Sequence, residues 1–209
     1  ARMSIDNPNL VWIDCEMTGL DIQTDSLIEI AVLITDSQLN ILGEGVDLVI
    51  KTDQAKVDAM SEYVKKMHTD SGLINEIANG VTMEHAQDQI MAYLNRYAPE
   101  AGKSPLAGNS VGVDRLFINR DLPKVAEHLH YRTIDVSSIK ELARRWYPKV
   151  YFNAPNKTGN HRALGDIKDS IAELAFYRKT VFVDQPGPQS ADIKQIAAAF
   201  NGDSAPTEG

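Results

Sequence analysis

An apolar strand that ends in two acids constrains this chain more than any other feature. Leu10-Val11-Trp12-Ile13 runs directly into Asp14-Cys15-Glu16. Residues i and i+2 of a strand project from the same face. Asp14 and Glu16 therefore share one side of the strand, and Cys15 faces the other as a small buried hydrophobe. Two carboxylates so close repel. They share a proton, stay well solvated, or hold a cation. Hard divalent cations such as Mg²⁺ and Mn²⁺ take carboxylate oxygens, so metal binding is the first reading to test.

The surrounding pattern supplies a sheet. Leu27 to Ile34 reads as a second, largely buried strand, Asp36 to Asn40 as a turn, and Ile41 to Ile50 as a third strand. Short turns between them predict an antiparallel meander. The pattern then changes. Asp53 to Asn79 reads as short helices, and Thr82 caps a helix reaching Tyr97, with Ile90, Met91 and Leu94 on its apolar side. Pro105 to Asn109 is a short strand entering a loop, and Asp114 to Leu129 forms two short helices broken near Pro123. Tyr131 to Val136 is a strand, Ser137 caps a helix to Trp146, Asn153 to Asn160 is a polar loop, and a long helix runs from Arg162 to Thr180. Strands first and strand–helix units later predict a single α/β domain with a mixed sheet flanked by helices, spanning 9–183.

The ends read differently. Residues 1–8 form an N-terminal segment in which Met3 looks like the natural start, after a two-residue cloning remnant. From Asp184 to 209 the composition gives a linker around Pro186-Gly187-Pro188, a short amphipathic helix at Asp192 to Phe200 and a disordered tail. One cysteine excludes an intramolecular disulfide framework and points to the cytoplasm. No stretch approaches the roughly 20 apolar residues of a membrane span, and no signal-peptide core is present.

The formal net charge of −8 limits the partners. A protein that grips long nucleic acid carries a basic footprint, and none is visible. Any nucleic-acid substrate is therefore short or touched at few phosphates.

Asp14, Glu16, Asp114, His161 and Asp166 form the constellation that could carry chemistry. Asp114 follows the loop Gly108-Asn109-Ser110-Val111-Gly112-Val113. His161 and Asp166 are five residues apart, which on a helix is a rotation of about 140°. They converge only if His161 precedes the helix, and Gly159-Asn160 permits that. Four acids and a histidine suit two-metal phosphodiester hydrolysis, with the histidine taking a proton from water.

Those residues and the words around them resemble a known family. Trp12-Ile13-Asp14-Cys15-Glu16-Met17-Thr18-Gly19-Leu20, Leu106-Ala107-Gly108-Asn109-Ser110, Tyr131-Arg132-Thr133-Ile134-Asp135-Val136-Ser137 and His161-x-x-x-x-Asp166 are similar to the oligoribonuclease family of the DEDD exonuclease superfamily, histidine subclass. The resemblance runs from about Asn9 to Val183. It implies an RNase H-like fold, a homodimer, and 3′-to-5′ release of 5′-mononucleotides from very short RNA, dinucleotides above all. Asp14, Glu16, Asp114 and Asp166 match the ligands of two Mg²⁺ or Mn²⁺ ions, and His161 matches the general base. Leu20 matches a leucine wedged between two bases. His68, Ser110 and Arg132 match groups around the 5′ phosphate, and Tyr131 a tyrosine from the partner subunit. Tyr63 stands where many members have a base-stacking tryptophan. A closed phosphate cap needs no long basic groove, which agrees with the acidic composition.

Two rivals remain at this point. Gly108-x-Ser110-x-Gly112, followed by Asp135 and His161, also matches the nucleophile elbow and triad order of α/β-hydrolases. That reading leaves the Asp14/Glu16 pair unexplained. An inactive nuclease fold used as a binding module would lack a metal ligand, and all four are present. His128 and His130 have no third ligand nearby for zinc, so a solvated or packing role is expected.

Overall fold

The computed structural model describes residues 7–202. Three strands come first: β1 (Leu10–Met17), β2 (Leu27–Thr35) and β3 (Ile41–Val49). Helices α1 (Gln54–Asp58) and α2 (Glu62–Asp70), two short 3₁₀ turns (Leu73–Asn75 and Ile77–Asn79) and α3 (Met83–Tyr97) follow. Next come β4 (Pro105–Gly108), α4 (Gly112–Asp121), α5 (Pro123–His128), β5 (His130–Asp135), α6 (Val136–Trp146), α7 (Pro148–Phe152), α8 (Ala163–Thr180) and α9 (Ser190–Asn201).

The strands form one mixed sheet in the order β3-β2-β1-β4-β5. The meander β1–β2–β3 is antiparallel, and β4 and β5 add in parallel. This is the predicted α/β architecture, with β1 at the centre. All nine residues of β2 are buried, because both faces of the sheet are covered. Val11, Ile13 and Cys15 pack with Ile30, Val32 and Ile34 against α3, α4 and α5, through Ile90, Leu94, Phe117, Ile118 and Val125. Trp12, Ala31, Leu33 and Ala107 pack on the other face against α8, through Ala163, Ile167, Ile171, Leu174 and Tyr177. The indole of Trp12 donates to Thr35 Oγ1 at 2.9 Å, so its N–H is satisfied in the core. Period-2 alternation thus sends Asp14 and Glu16, two and four residues beyond Trp12, to the α8 face.

Several local readings change. Asp135, not Ser137, caps α6: its carboxylate accepts the Ser137 N–H at 2.9 Å. Both residue types cap well, and the helix starts one residue earlier than its serine. Helix α4 begins at Gly112, which puts Asp114 in its first turn. Helix α7 was not predicted, although Pro148 at its first position is a start signal. His128 ends α5 and is buried, with Nε2 against the Ala98 carbonyl, so it shares no strand with His130. The apolar stripe of α9 docks on nothing among the described residues: Ile193, Ile196 and Phe200 are exposed. The readings for residues 1–6 and 203–209, the Met3 start and the end of the tail, lie outside the described residues. No helix is long and apolar enough to cross a membrane among the described residues.

Candidate active site

Strand β1 delivers two acids and α8 a third. One carboxylate oxygen each from Asp14, Glu16 and Asp166 lies within 4.8 Å of the others. Asp166 sits in the first turn of α8, where an acid is favoured by the helix N-terminus. Asp114 stands beside them from the first turn of α4. Its Oδ1 accepts the Cys15 N–H at 2.9 Å, an amide in the middle of the Asp14–Glu16 pair.

The electrostatics show the cost of crowding acids in a partly dry site. Desolvation, then the charges of Asp114, Glu16, Asp166 and Glu29, push the Asp14 carboxyl well above its ordinary value. Desolvation and the neighbouring Asp166 and Glu29 raise Glu16 to about 8. Asp114 is raised to about 6, mainly by desolvation and despite its hydrogen bonds to Cys15. Asp166 is raised too, while the nearby His161 pulls it back down. Asp14 Oδ2 is buried and has no hydrogen-bond partner. Convergent hard oxygens, one of them orphaned, with proton affinities raised by mutual repulsion, are the donor set a divalent cation relieves. The residues therefore fit the metal that the sequence suggested.

His161 reaches the cluster as required, from the loop before α8. It lines a cavity of about 370 Å³ together with Asp14, Asn109, Asp166 and Ser170. Asn160 and His161 both take left-handed backbone conformations, φ 53° and 59°. For residues other than glycine these cost about 1–3 kcal/mol each and persist only where surroundings enforce them. The enforcement is visible. Upstream, the Asp169 carboxylate accepts the N–H groups of Thr158 and Gly159 at 2.8 and 2.6 Å. Downstream, Arg162 and the Ala163 amide bind Glu29.

The other predicted residues are placed as follows. His68 is fully buried. Its Nε2 lies 2.8 Å from the Met17 carbonyl at the end of β1, and Nδ1 has no partner. Desolvation lowers its pKa. Ser110 (φ 53°) occupies the tight β4–α4 turn, exposed, with its amide held by Asp135 at 2.9 Å. Leu20, Tyr63 and Tyr131 expose 72%, 78% and 78% of their surface, well above what a packing role would leave. Tyr131 stacks on His130, and the Arg132 guanidinium lies 5.7 Å from the Tyr131 ring centre. None of these six residues lines the acidic cavity, and Tyr131 and Arg132 sit on the edge strand, two places from β1.

The hydrolase triad does not assemble. The Asp135 oxygens are occupied by the amides of Ser110, Val111 and Ser137 and by the Ser137 hydroxyl. They fasten the loop and do not orient a histidine, while His161 faces the acids.

Sequence reading missed Glu29. It lies opposite Glu16 in the β1–β2 register, fully buried, and grips the start of α8. The available signal was a lone charge inside an otherwise apolar strand. Such a charge must be paired.

Fold and site together define an exonuclease. The family model described as Exonuclease matches residues 11–174. Solved structures of Escherichia coli exonuclease I bound to single-stranded DNA (TM-score 0.64, 16% identity, 84% of this chain and 41% of that one) and of exonuclease I from Methylocaldum szegediense (0.61, 20%, 83% and 41%) share its fold. Oligoribonucleases of Streptomyces griseus (57% identical, covering 96% of this chain and all of that one) and Cutibacterium acnes (54%, 92% and 96%) match it nearly end to end. The chain belongs to the oligoribonuclease family, a group of nuclease hydrolases.

Proposed function

We propose that this protein is a 3′-to-5′ exoribonuclease that hydrolyses very short RNA, dinucleotides first, to 5′-mononucleotides. The convergence of Asp14, Glu16 and Asp166, the first and last of which line one cavity with His161, carries this reading. Asp14, Glu16, Asp114 and Asp166 would hold two divalent cations, Mg²⁺ or Mn²⁺, which when bound supply positive charge for the attacking and leaving oxygens of a phosphodiester. His161 accepts the proton of the attacking water. Its exposed position lets the proton pass on to solvent. The Cys15 N–H donates to Asp114 Oδ1 and holds that carboxylate beside the Asp14–Glu16 pair.

Substrate length is set by the groups around the acids. Leu20 wedges between the two bases, and Tyr63 stacks on one of them, since a phenol ring has the face that stacking needs. Ser110, with Arg132 and Tyr131 of a second copy, closes around the 5′ phosphate, and the buried His68 supports that end of the site from the Met17 carbonyl. Two observations favour a homodimer: Tyr131 and Arg132 do not line the acidic cavity of their own copy, and Leu142 and Trp146 on α6, Phe152 on α7 and Tyr147 between the two helices are exposed. A phosphate cap accounts for a net charge of −8 in an RNA-cleaving protein, because few backbone phosphates are touched. The single, buried Cys15 suits a cytoplasmic setting.

The test compares initial rates on a 5′-phosphorylated RNA dinucleotide and on a seven-nucleotide RNA, each with Mn²⁺. Faster cleavage of the dinucleotide is expected. Equal rates would leave an exonuclease without the length preference.

A further inference from the structure

We infer that Arg162 is a positioning residue that braces the general base from behind, through a Glu29–Arg162–Glu76 bridge anchored on the buried Glu29. This rests on the reading of His161 as the base. Glu29 is fully buried near the start of β2, and both its oxygens act on the chain just after His161. Oε1 accepts the Ala163 amide at 2.8 Å. Oε2 accepts Arg162 Nη2 at 2.8 Å and Nε at 3.1 Å. The remaining arm of the guanidinium, Nη1, reaches Glu76 Oε2 at 2.6 Å, between the two 3₁₀ turns that follow α2. One planar, permanently charged side chain thus ties three pieces together: the central sheet, the histidine loop and the segment that follows Tyr63 and His68. A rigid fork of donors suits that task, and the point charge of lysine does not.

The brace has work to do because the backbone it anchors is strained. Asn160 and His161 are both left-handed, and the loop would relax if its downstream end were free. Asp169 fixes the upstream end, so the two residues between are held at both sides. Arg162 is absent from the lining of the acidic cavity. Its influence on rate passes through the placement of the His161 ring. A misplacement near 1 Å lowers rate by about 10²-fold.

The experiment measures kcat and KM on the 5′-phosphorylated RNA dinucleotide, and Mn²⁺ affinity without substrate, for Arg162→Ala, Arg162→Lys, Glu76→Ala and His161→Ala. For Arg162→Ala and Arg162→Lys, kcat is expected to fall by about 10- to 100-fold with KM and Mn²⁺ affinity unchanged, and Glu76→Ala by less. Lysine and Glu76→Ala keep Glu29 paired, so the question stays answerable if Arg162→Ala fails to fold. Added guanidinium should restore rate to Arg162→Ala and not to His161→Ala, whereas imidazole should do the reverse. A His161→Ala protein with parental kcat would remove the base, and the brace with it. An inactive His161→Ala beside parental kcat in Arg162→Ala and Arg162→Lys would overturn the brace alone. So would a loss of Mn²⁺ affinity in step with kcat, because Arg162 would then be supporting the acids.

Discussion

At the scale of single residues, proton affinity is the property to probe. In the metal-free protein Glu16 binds its proton up to a pH of about 8, against an ordinary value of 4.5. The unfolded chain releases that proton near the ordinary value, so between the two the folded state binds more protons. Stability is then full below the ordinary value and is lost as pH rises towards 8. Calorimetry in EDTA should show the melting temperature falling from pH 5 to pH 8, and saturating Mn²⁺ should flatten the slope. Asp14→Asn removes one of the repelling charges. At pH 8 in EDTA it should melt about 2–4 °C higher than the parent, the shift expected from roughly 1 kcal/mol in a chain this size. It should also be inactive. A lower melting temperature would mean that Asp14 serves the fold more than the site. Asp14 and Glu16 were legible in sequence because strand alternation alone places them together. Glu29 was not, because its role depends on pairing with a residue 133 positions away, and no local pattern encodes that.

At the scale of elements, the site is a meeting of three ends: the close of β1, the β4–α4 turn and the entry to α8. The strands and the long helix were legible, since hydrophobic period and length fix them. The junctions were less so. The Asp135 cap serves two elements at once, holding Ser110 and Val111 as well as Ser137, and a local reading assigns the helix start to the nearer serine. Gly159 is the most constrained junction. A Cβ there would lie 2.2 Å from Asp166 Oδ1 and 2.7 Å from the Gly165 carbonyl carbon. Gly159→Ala must therefore push the histidine loop off α8. Its kcat should fall by about 100-fold, and its affinity for Mn²⁺ should weaken because Asp166 moves. Steady-state kinetics and Mn²⁺ titration check both, and parental values would show that the close approach of loop and helix is dispensable.

At the scale of the molecule, the acidic composition, the acid-lined cavity and the exposed aromatic groups belong to one account. The sequence predicted the fold class because the order of strands and helices survives without detail, and its acidic composition led to the expectation of a short substrate. It did not reveal that α9 would carry its apolar stripe into solvent, because a helical period says which face is apolar and not what covers it. Sedimentation should report a dimer. Trp146→Glu, a charge placed on an exposed apolar side of α6, should shift it to monomer and slow dinucleotide cleavage together. Monomers with parental activity would refute the contribution of Tyr131 and Arg132 across the interface.

The most direct measurement follows a 5′-labelled RNA dinucleotide over time with the parent protein and with Asp14→Ala, each in Mn²⁺ and in excess EDTA. The account predicts labelled 5′-mononucleotide from the parent in Mn²⁺ and none in the other three reactions, with Asp14→Ala still folded. Mononucleotide release in EDTA, or by Asp14→Ala, would contradict a metal-dependent site built on the acids of β1.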